Sequence, residues 1–233
     1  LVGSEMCIRD SDYHVHLNGG LTKEVAARQS RWTGVNYGLA INCGIGFSIT
    51  NDTELYNYLD TMRTQPFILA MQAEGREWVT TFSEAARNSF DYVFTDAMTF
   101  LDHKGRRTHL WVNKEVIIDD EQAYMDMMLD RICSVLEEPV DMYVNSCFLP
   151  DAMSDRYDMF WTEERIDRFV NALAKSGKAL EINELYHIPN KAIIQKAKAA
   201  GVKFTFGSNN ITPWFVECNS ILRRINRLLN NYS

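Results

Sequence analysis

The sequence predicts an α/β protein that forms a single barrel. Short apolar runs typical of buried strands alternate with longer segments in which apolar residues recur at helical spacing. The alternation gives about seven strand–helix units, from which parallel strands are expected. No linker rich in Pro, Gly or Ser interrupts the pattern, so one domain is predicted. That many units in one domain favour a closed barrel, and a doubly wound sheet is the alternative.

The predicted elements follow one another in chain order. Strands are expected at 12–16, 37–42, 67–73, 91–95, 141–145, 179–183 and 203–207, each as a short, largely apolar run. Helices are expected at 22–32, from about 52 to 62, and at 79–88, 121–136, 162–175, 190–200 and 216–229. A polar connection over 96–120 links the fourth strand to the helix at 121–136.

Residues that cap backbone groups mark the ends of several helices. Asn51 or Asp52 is expected to accept a hydrogen bond from the first turn of the second helix. Thr162 is expected to do the same for the helix predicted at 162–175. Glycines are expected to end three helices, because a glycine readily adopts the left-handed conformation that terminates a helix. These glycines are Gly34, Gly177 and Gly201.

The composition excludes several classes of protein. The 233 residues are 46% hydrophobic and 24% charged, which is typical of a globular chain rather than a disordered one. A net charge of −7 argues against a general nucleic-acid or anionic-membrane binder, which requires a basic face. No apolar run approaches the ~18 residues of a membrane-spanning helix. Glycine-rich phosphate-binding motifs are absent from the sequence, which disfavours common nucleotide-binding folds.

Cysteine usage and the N-terminal segment bear on location and on domain limits. The five scattered cysteines form no Cys-x-x-Cys pair, which is typical of free thiols in a reducing compartment, and a cytoplasmic protein is expected. Residues 1–11 fit no strand, helix or signal-peptide pattern, because Glu5, Arg9 and Asp10 interrupt any apolar core. We therefore interpret 1–11 as a disordered or non-native extension and 12–233 as the domain.

Polar residues end nearly every predicted strand. In α/β barrels the chemistry lies at the carboxyl ends of the strands, so these side chains are expected to line one polar pocket. They are His14, His16, Asn42, Glu74, Asp96, Asn145, Glu181, Asn183, Ser208 and Asn209. Asn183 and Asn209 are interpreted as contacts to a polar substrate.

The pair His14 and His16 is the strongest candidate for a metal site. Residues two apart on a strand project to the same face, so both imidazoles can reach one cation. Glu74 follows an apolar strand and could complete a set of two histidines and one glutamate, which leaves a position open for water, as catalytic zinc requires. The alternative interpretations are exposed histidines near a terminus and a solvated loop carboxylate.

Five short motifs resemble those of the PHP (polymerase and histidinol phosphatase) family. They are Asp12-Tyr13-His14-Val15-His16, Ala73-Glu74-Gly75, Phe90-Asp91-Tyr92-Val93, Leu180-Glu181-Ile182-Asn183 and Gly207-Ser208-Asn209, and their spacing matches across most of the chain. The resemblance implies a distorted seven-stranded α/β barrel with a cluster of up to three divalent metals that hydrolyses phosphoesters, although the family also has proofreading and inactive members. His14, His16 and Glu74 fall on metal-ligand positions of that pattern.

The sequence departs from the family pattern where other metal ligands are expected. Asn42-Cys43-Gly44 stands in place of Thr-Asp-His, Asn145-Ser146 in place of His-Pro, and Ser208-Asn209-Asn210 in place of Ser-Asp-Ala-His. Asp96 or Met98 stands where a histidine follows the fourth strand. A neutral amide oxygen is a weaker zinc ligand than a carboxylate or an imidazole. One divalent ion, zinc or manganese, is therefore expected, and two if Asp96 contributes.

The connection after Asp96 holds the most basic stretch of this acidic chain. Arg106 and Arg107 could bind phosphate or carboxylate through paired hydrogen bonds, and Arg76 is another candidate for an anion contact. His103 is a candidate general acid or base, since the pKa of histidine lies near neutrality, and Asp96 could share that role. The alternative is a solvated surface loop.

These observations predict a metal-dependent hydrolase that acts on a phosphoester or another small anionic substrate through a metal-activated water. One alternative is a degenerate PHP-like barrel that binds a small polar ligand without turnover, as the lost ligands suggest. Another is an amidohydrolase-type lyase or amide hydrolase, because those barrels also open with His-x-His. The sequence leaves the oligomeric state open.

Overall fold

A computed structural model describes residues 11–65, 67–102 and 104–210 of the chain. It confirms the predicted α/β barrel: seven parallel strands follow one another in the order β1-β2-β3-β4-β7-β8-β9 and nearly close into a ring. These strands are β1 (Ser11–His16), β2 (Asn36–Cys43), β3 (Ile68–Ala73), β4 (Tyr92–Thr95), β7 (Met142–Tyr143), β8 (Ala179–Asn183) and β9 (Phe204–Gly207).

Helices cover the outside of the ring. They are α1 (Lys23–Thr33), α2 (Asp52–Met62), α3 (Trp78–Thr81), α4 (Glu84–Arg87), α5 (Glu121–Val135), α6 (Asp151–Ser154), α7 (Tyr157–Phe160), α8 (Glu163–Ser176) and α9 (Lys191–Ala199), with a 3-10 turn at Asn113–Glu115. None of the helices in the described ranges is both long and apolar enough to cross a bilayer. The helix predicted at 216–229 and residues 1–10 lie outside the described residues, and Ser11 is already part of β1.

The predicted helix caps are confirmed. The side chains of Asn51 and Thr162 accept hydrogen bonds from the backbone N–H of Glu54 and Arg165, which satisfies a donor that the first helical turn leaves unpaired. Gly34 and Gly177 end their helices with φ values of 72° and 70°, a conformation that costs a residue with a Cβ about 1 kcal/mol or more.

The helix predicted at 79–88 is interrupted. It forms two short helices, α3 and α4, because Phe82 takes an extended conformation and buries its ring. Ser83 then starts α4 by accepting a hydrogen bond from Ala86 N–H. The strand predicted at 141–145 is also shorter than expected, because Asn145 adopts a left-handed conformation with φ 46° and turns the chain out of the sheet.

The polar connection after β4 contains an antiparallel hairpin that the sequence did not reveal. Strands β5 (Thr99–Leu101) and β6 (Arg107–His109) pair in register, with Thr99 opposite His109 and Phe100 opposite Thr108. The Asp102 carboxylate accepts hydrogen bonds from the backbone N–H groups of Lys104 and Arg106, which folds the turn. Directly opposed residues of an antiparallel pair share a face, so the Thr99–His109 and Phe100–Thr108 pairs lie on opposite faces of the ribbon.

The barrel interior has an apolar layer below a polar one. Ala40, Ala70, Phe94, Met142 and Ala179 alternate with outward-facing residues along their strands and form a buried apolar cluster. Larger clusters from the other strand faces pack under the helices. The next inward-facing positions towards the carboxyl ends of β3 and β8 are polar, namely Gln72 and Glu181. The apolar layer therefore lies directly beneath a layer of buried polar side chains.

Asparagines join the two edge strands, β1 and β9, at the polar end of the barrel. The backbone N–H of Asn209 donates to the His14 carbonyl at 2.8 Å. The Asn210 side chain accepts from His16 N–H at 2.7 Å and donates to the His16 carbonyl at 3.0 Å. Nearby, the buried Asp12 carboxylate accepts from Ser208 N–H at 3.0 Å. Side chains thus supplement the backbone contacts that hold the ring together beside the two histidines.

Candidate functional site

The two histidines of β1 lie together, as their spacing predicted. Their Nε2 atoms are 3.1 Å apart. His14 is almost fully buried, whereas His16 is half-buried at the carboxyl end of the barrel. The His14 ring also packs on Phe94, with ring centroids 4.7 Å apart, so the apolar layer supports the site.

A carboxylate fixes the orientation of His14. The Nδ1 atom of His14 lies 2.6 Å from Oε1 of Glu181, and both side chains are buried. An ionised carboxylate can only accept hydrogen bonds, so Nδ1 carries a proton and Nε2 points towards His16. Burial opposes a charge on His14, but the Glu181 carboxylate outweighs it and raises the pKa of His14.

A third acceptor atom, from Gln72, converges on the same point. Gln72 Nε2 donates to Glu74 at 2.9 Å, which leaves Gln72 Oε1 facing His14 Nε2 at 3.2 Å. The His16 ring is hydrogen-bonded to the Ala40 backbone, and burial together with the charge on His14 lowers the pKa of His16 to about 3. When His14 is neutral, the Nε2 lone pairs of both imidazoles and the Gln72 amide oxygen face one another. A proton on His14 Nε2, or a cation between the three groups, removes this repulsion.

Glu74 is connected to this cluster through a hydrogen bond to Gln72. Its Oε1 atom accepts from Gln72 and from Asn42 Nδ2 at 2.7 Å, and its Oε2 atom accepts from Thr99 Oγ1 at 3.0 Å. Within the described ranges, no group of three or more His, Cys, Asp or Glu side chains could hold a metal ion. The described structure therefore places Gln72, and not Glu74, against the histidine pair.

Asp96 and Glu74 are two buried carboxylates at adjacent strand ends. Asp96 Oδ2 accepts from Asn145 Nδ2 at 2.7 Å, and its Oδ1 accepts from Met98 N–H at 2.8 Å. Burial raises the pKa of both carboxyls, and the charge of Asp96 adds to the effect on Glu74. A carboxyl with a raised pKa is suited to proton transfer, and the role predicted for Asp96 remains a prediction.

The asparagines at the strand ends form one network around Asn145. Asn145 Oδ1 accepts from Asn183 Nδ2 at 2.9 Å and from Asn209 Nδ2 at 3.0 Å, and Asn183 also donates to Glu181. Asn145 and Asn209 both have positive φ values, 46° and 45°. A strained backbone at two contacting residues is typical of a functional site. The roles predicted for Asn183 and Asn209 in substrate binding remain predictions.

The candidate anion-binding arginines lie in different environments. Arg76 pairs with Glu138 at 2.8 Å and donates to Thr95 Oγ1 at 3.0 Å. Arg106 pairs with Asp102 on the hairpin turn and is 51% exposed. Arg107 pairs with Glu77 at 2.7 Å, is 22% exposed, and lies against Gly75, directly after Glu74. Arg76 and Arg107 thus share limited exposure, 24% and 22%, and a position next to the end of β3, whereas Arg106 does not.

His103, predicted as a general acid or base, lies outside the described residues. His109 is a second candidate for this role, which no sequence pattern indicated. His109 Nδ1 lies 2.7 Å from Glu115 Oε2, and its backbone N–H donates to the same atom at 2.9 Å. His109 is opposite Thr99, whose hydroxyl contacts Glu74, so the hairpin directs this imidazole towards the pocket side.

Gln72 was also overlooked, although a signal for it exists. It lies two residues before Glu74, so an inward-facing Glu74 implies an inward-facing Gln72 on the same strand face. The surrounding apolar run concealed that polar residue. Together these residues define the class of structure: a nearly closed barrel of seven parallel strands with a cluster of buried polar side chains at the carboxyl ends.

Comparisons with known proteins give distant structural similarities. Neither a family profile nor a curated protein matches the chain. A variant of the citrate synthase SbnG is similar with a TM-score of 0.39 and 14% sequence identity, covering 95% of this chain and 93% of that chain. The mannotriose complex of Thermomonospora fusca β-mannanase is similar with a TM-score of 0.36 and 10% identity, covering 84% of this chain and 78% of that chain.

Proposed function

We propose that this protein is a metal-dependent hydrolase that acts on a phosphoester or another small anionic substrate. The observation that carries the proposal is the convergence of His14 Nε2, His16 Nε2 and Gln72 Oε1, with neighbouring separations of 3.1 and 3.2 Å. Distances of this size suit ligands that share one divalent ion at about 2.0–2.2 Å each. Glu181 behind His14 supplies the carboxylate that commonly orients a metal-binding histidine.

The donor set fits one ion better than a cluster. His14, His16 and Gln72 would hold it, and two imidazoles with an oxygen ligand suit zinc or manganese. A divalent ion bound there supplies a Lewis acid that polarises a substrate oxygen and lowers the pKa of water. Two of the other strand ends carry the amides of Asn145 and Asn209, which hydrogen-bond to each other and supply no charge to hold further ions.

Other residues of the chain would transfer protons and bind the substrate. Asp96 has a raised pKa and lies in the same pocket, so it would hold and transfer a proton. Arg107, beside Gly75, would hold the anionic part of the substrate after exchanging its contact with Glu77. His109, oriented by Glu115, would be a second proton carrier on the hairpin side, and His103 keeps the same predicted role. We still propose that the hydrolase is of the PHP type, as the sequence motifs indicate.

The second candidate is a barrel that binds a small polar ligand without turnover. The favouring observation is that Asn145 accepts from two amides and donates to Asp96, so that these polar side chains satisfy one another's hydrogen bonds. An amidohydrolase-type lyase or amide hydrolase would use the same histidine pair on other substrates.

Metal content tests the proposal most directly. Purified protein reconstituted with zinc or manganese is expected to hold about one ion per chain, and His14→Ala with His16→Ala is expected to hold none. Arg28→Ala, on the exposed side of α1, is the matched control and should keep the ion. Hydrolysis of p-nitrophenyl phosphate should depend on the added metal. Metal-free protein that nonetheless binds polar ligands would favour the second candidate.

The proposal extends to partners and location. The substrate is a small molecule, and the acidic chain is not expected to bind nucleic acid. Cys43, Cys133 and Cys147 are free thiols in the structure, in keeping with the proposed cytoplasmic location.

A further inference from the structure

A separate groove lies between the β5–β6 hairpin and helix α5. It has a volume of about 500 Å³. The Phe100–Thr108 face of the hairpin lines it, whereas Thr99 on the opposite face contacts Glu74 in the barrel pocket. The groove is therefore distinct from the proposed hydrolase site, and the hairpin separates the two.

Two polar groups of α5 that line this groove have no hydrogen-bond partner in the described part of the chain. Arg131 lies over the Phe100 ring at 3.7 Å, and its Nε atom has no hydrogen-bond partner among the described residues. Its Nη2 atom contacts only the weak acceptor Met127 Sδ at 3.6 Å, and no described carboxylate forms an ion pair with Arg131. The Tyr124 hydroxyl likewise has no partner within residues 11–65, 67–102 and 104–210. A half-buried cation and a phenol without acceptors are costly unless an acceptor binds to them.

The rim of the groove combines exposed apolar side chains with acidic ones. Leu101 is 44% exposed and Ile117 is 53% exposed, and Met127 lies between Tyr124 and Arg131 along α5. Most of the neighbouring carboxylates already have partners. Asp102 pairs with Arg106, Glu115 with His109, and Asp120 caps α5 through Ala123 N–H, while Asp119 lies exposed at the edge.

We propose that this groove binds a small monocarboxylate with an apolar tail. The carboxylate would accept hydrogen bonds from Arg131 and Tyr124, which are the unpaired donors of the groove. The tail would cover Leu101 and Ile117, removing apolar surface from water. A doubly charged phosphate suits the groove less well, because the acidic side chains at the rim would repel it more strongly than a single negative charge.

Binding of sodium octanoate, octanamide and inorganic phosphate, measured by calorimetry, tests the proposal. Octanoate is expected to bind about tenfold more tightly than octanamide, because a hydrogen bond to an ionised group is stronger than one to a neutral group. Arg131→Met should remove that preference, and Tyr124→Phe should weaken octanoate binding. Arg28→Met, which lies on the exposed side of α1, should leave both affinities unchanged.

Substitution of Ile117, at the exposed rim, tests the proposal without changing the packed side chains of the groove. Ile117→Glu places a carboxylate beside the tail and should weaken octanoate binding about tenfold or more, with the melting temperature as the check on folding. Equal affinities of wild type for octanoate and octanamide would overturn the proposal, as would tight phosphate binding that Arg131→Met abolishes. Metal content of the barrel should remain the same in every variant, so this result is independent of the hydrolase proposal.

Discussion

Glu181 on β8 holds the Nδ1 atom of His14 on β1 at 2.6 Å, across the interior of the barrel. The backbone N–H of Asn145 donates to the second carboxylate oxygen at 2.7 Å, and Asn183 Nδ2 donates to it at 2.9 Å. The carboxylate is thus fixed on one side and orients the imidazole on the other. This relationship joins the proposed metal ligand to the asparagine network.

Glu181→Gln is expected to weaken binding of the proposed metal ion about 10-fold to 100-fold, because the neutral amide no longer fixes the tautomer of His14. The affinity can be measured by competition with a chromophoric chelator. Glu164→Gln, an exposed position in the first turn of α8, serves as the control and should bind metal as wild type does. Unchanged affinity in Glu181→Gln would mean that His14 is not a ligand.

Arg107→Ala is expected to lower kcat/KM for an anionic substrate about tenfold to hundredfold, because a charge-assisted contact is worth ~1.5–3 kcal/mol. Arg106→Ala should have little effect, since Arg106 is 51% exposed and pairs with Asp102 on the hairpin turn. Steady-state kinetics at several ionic strengths would compare the two. Equal losses in both variants would contradict the placement of Arg107 at the pocket.

Gly38→Ala is expected to destabilise the barrel by about 1–3 kcal/mol through overpacking. A Cβ at this position would lie 1.9 Å from the Tyr92 hydroxyl, which donates to the Tyr13 carbonyl. The double variant Gly38→Ala with Tyr92→Phe removes the clashing oxygen, so it should be less destabilised than the sum of the two single variants. Urea unfolding measures all three. Strict additivity would indicate that the two residues do not meet.

Asn145→Ala is expected to destabilise the protein by about 1–2 kcal/mol more than Asn145→Gly. Both substitutions remove the amide that contacts Asp96, Asn183 and Asn209, but only glycine accepts a φ of 46° without strain. The difference between the two variants, measured by thermal unfolding, therefore isolates the backbone term. Equal stabilities would show that residue 145 relaxes away from the left-handed region.

Local patterns predicted most of the fold, and long-range contacts account for what they missed. The cap at Asn51, the helix end at Gly34 and the shared face of His14 and His16 depend on residues close in the sequence. The left-handed turn at Asn145 depends on partners such as Glu181, 36 positions away, which no local pattern encodes. The hairpin at β5–β6 is short and polar, so its alternation is weak.

The candidate site was predicted in part for the same reason. Strand ends and two-residue spacing identified the histidines and the neighbouring polar residues, and the structure places them in one pocket. The partner of the histidine pair could not be chosen between Gln72 and Glu74 from their order alone, since both face inward. That choice follows from the hydrogen bond between their side chains, which fixes the amide oxygen.

The two edge strands of the barrel meet beside the histidines, and the ring can open between these two strands. Strands β1 and β9 stand at the two ends of the hydrogen-bonded order, joined there by contacts such as Asn209 N–H to the His14 carbonyl. A metal ion that binds both His14 and His16 would therefore also stabilise the junction of β1 and β9. Amide hydrogen exchange at Asn209 should slow when the ion binds. The rate of local opening of the barrel would then report whether the metal site is occupied.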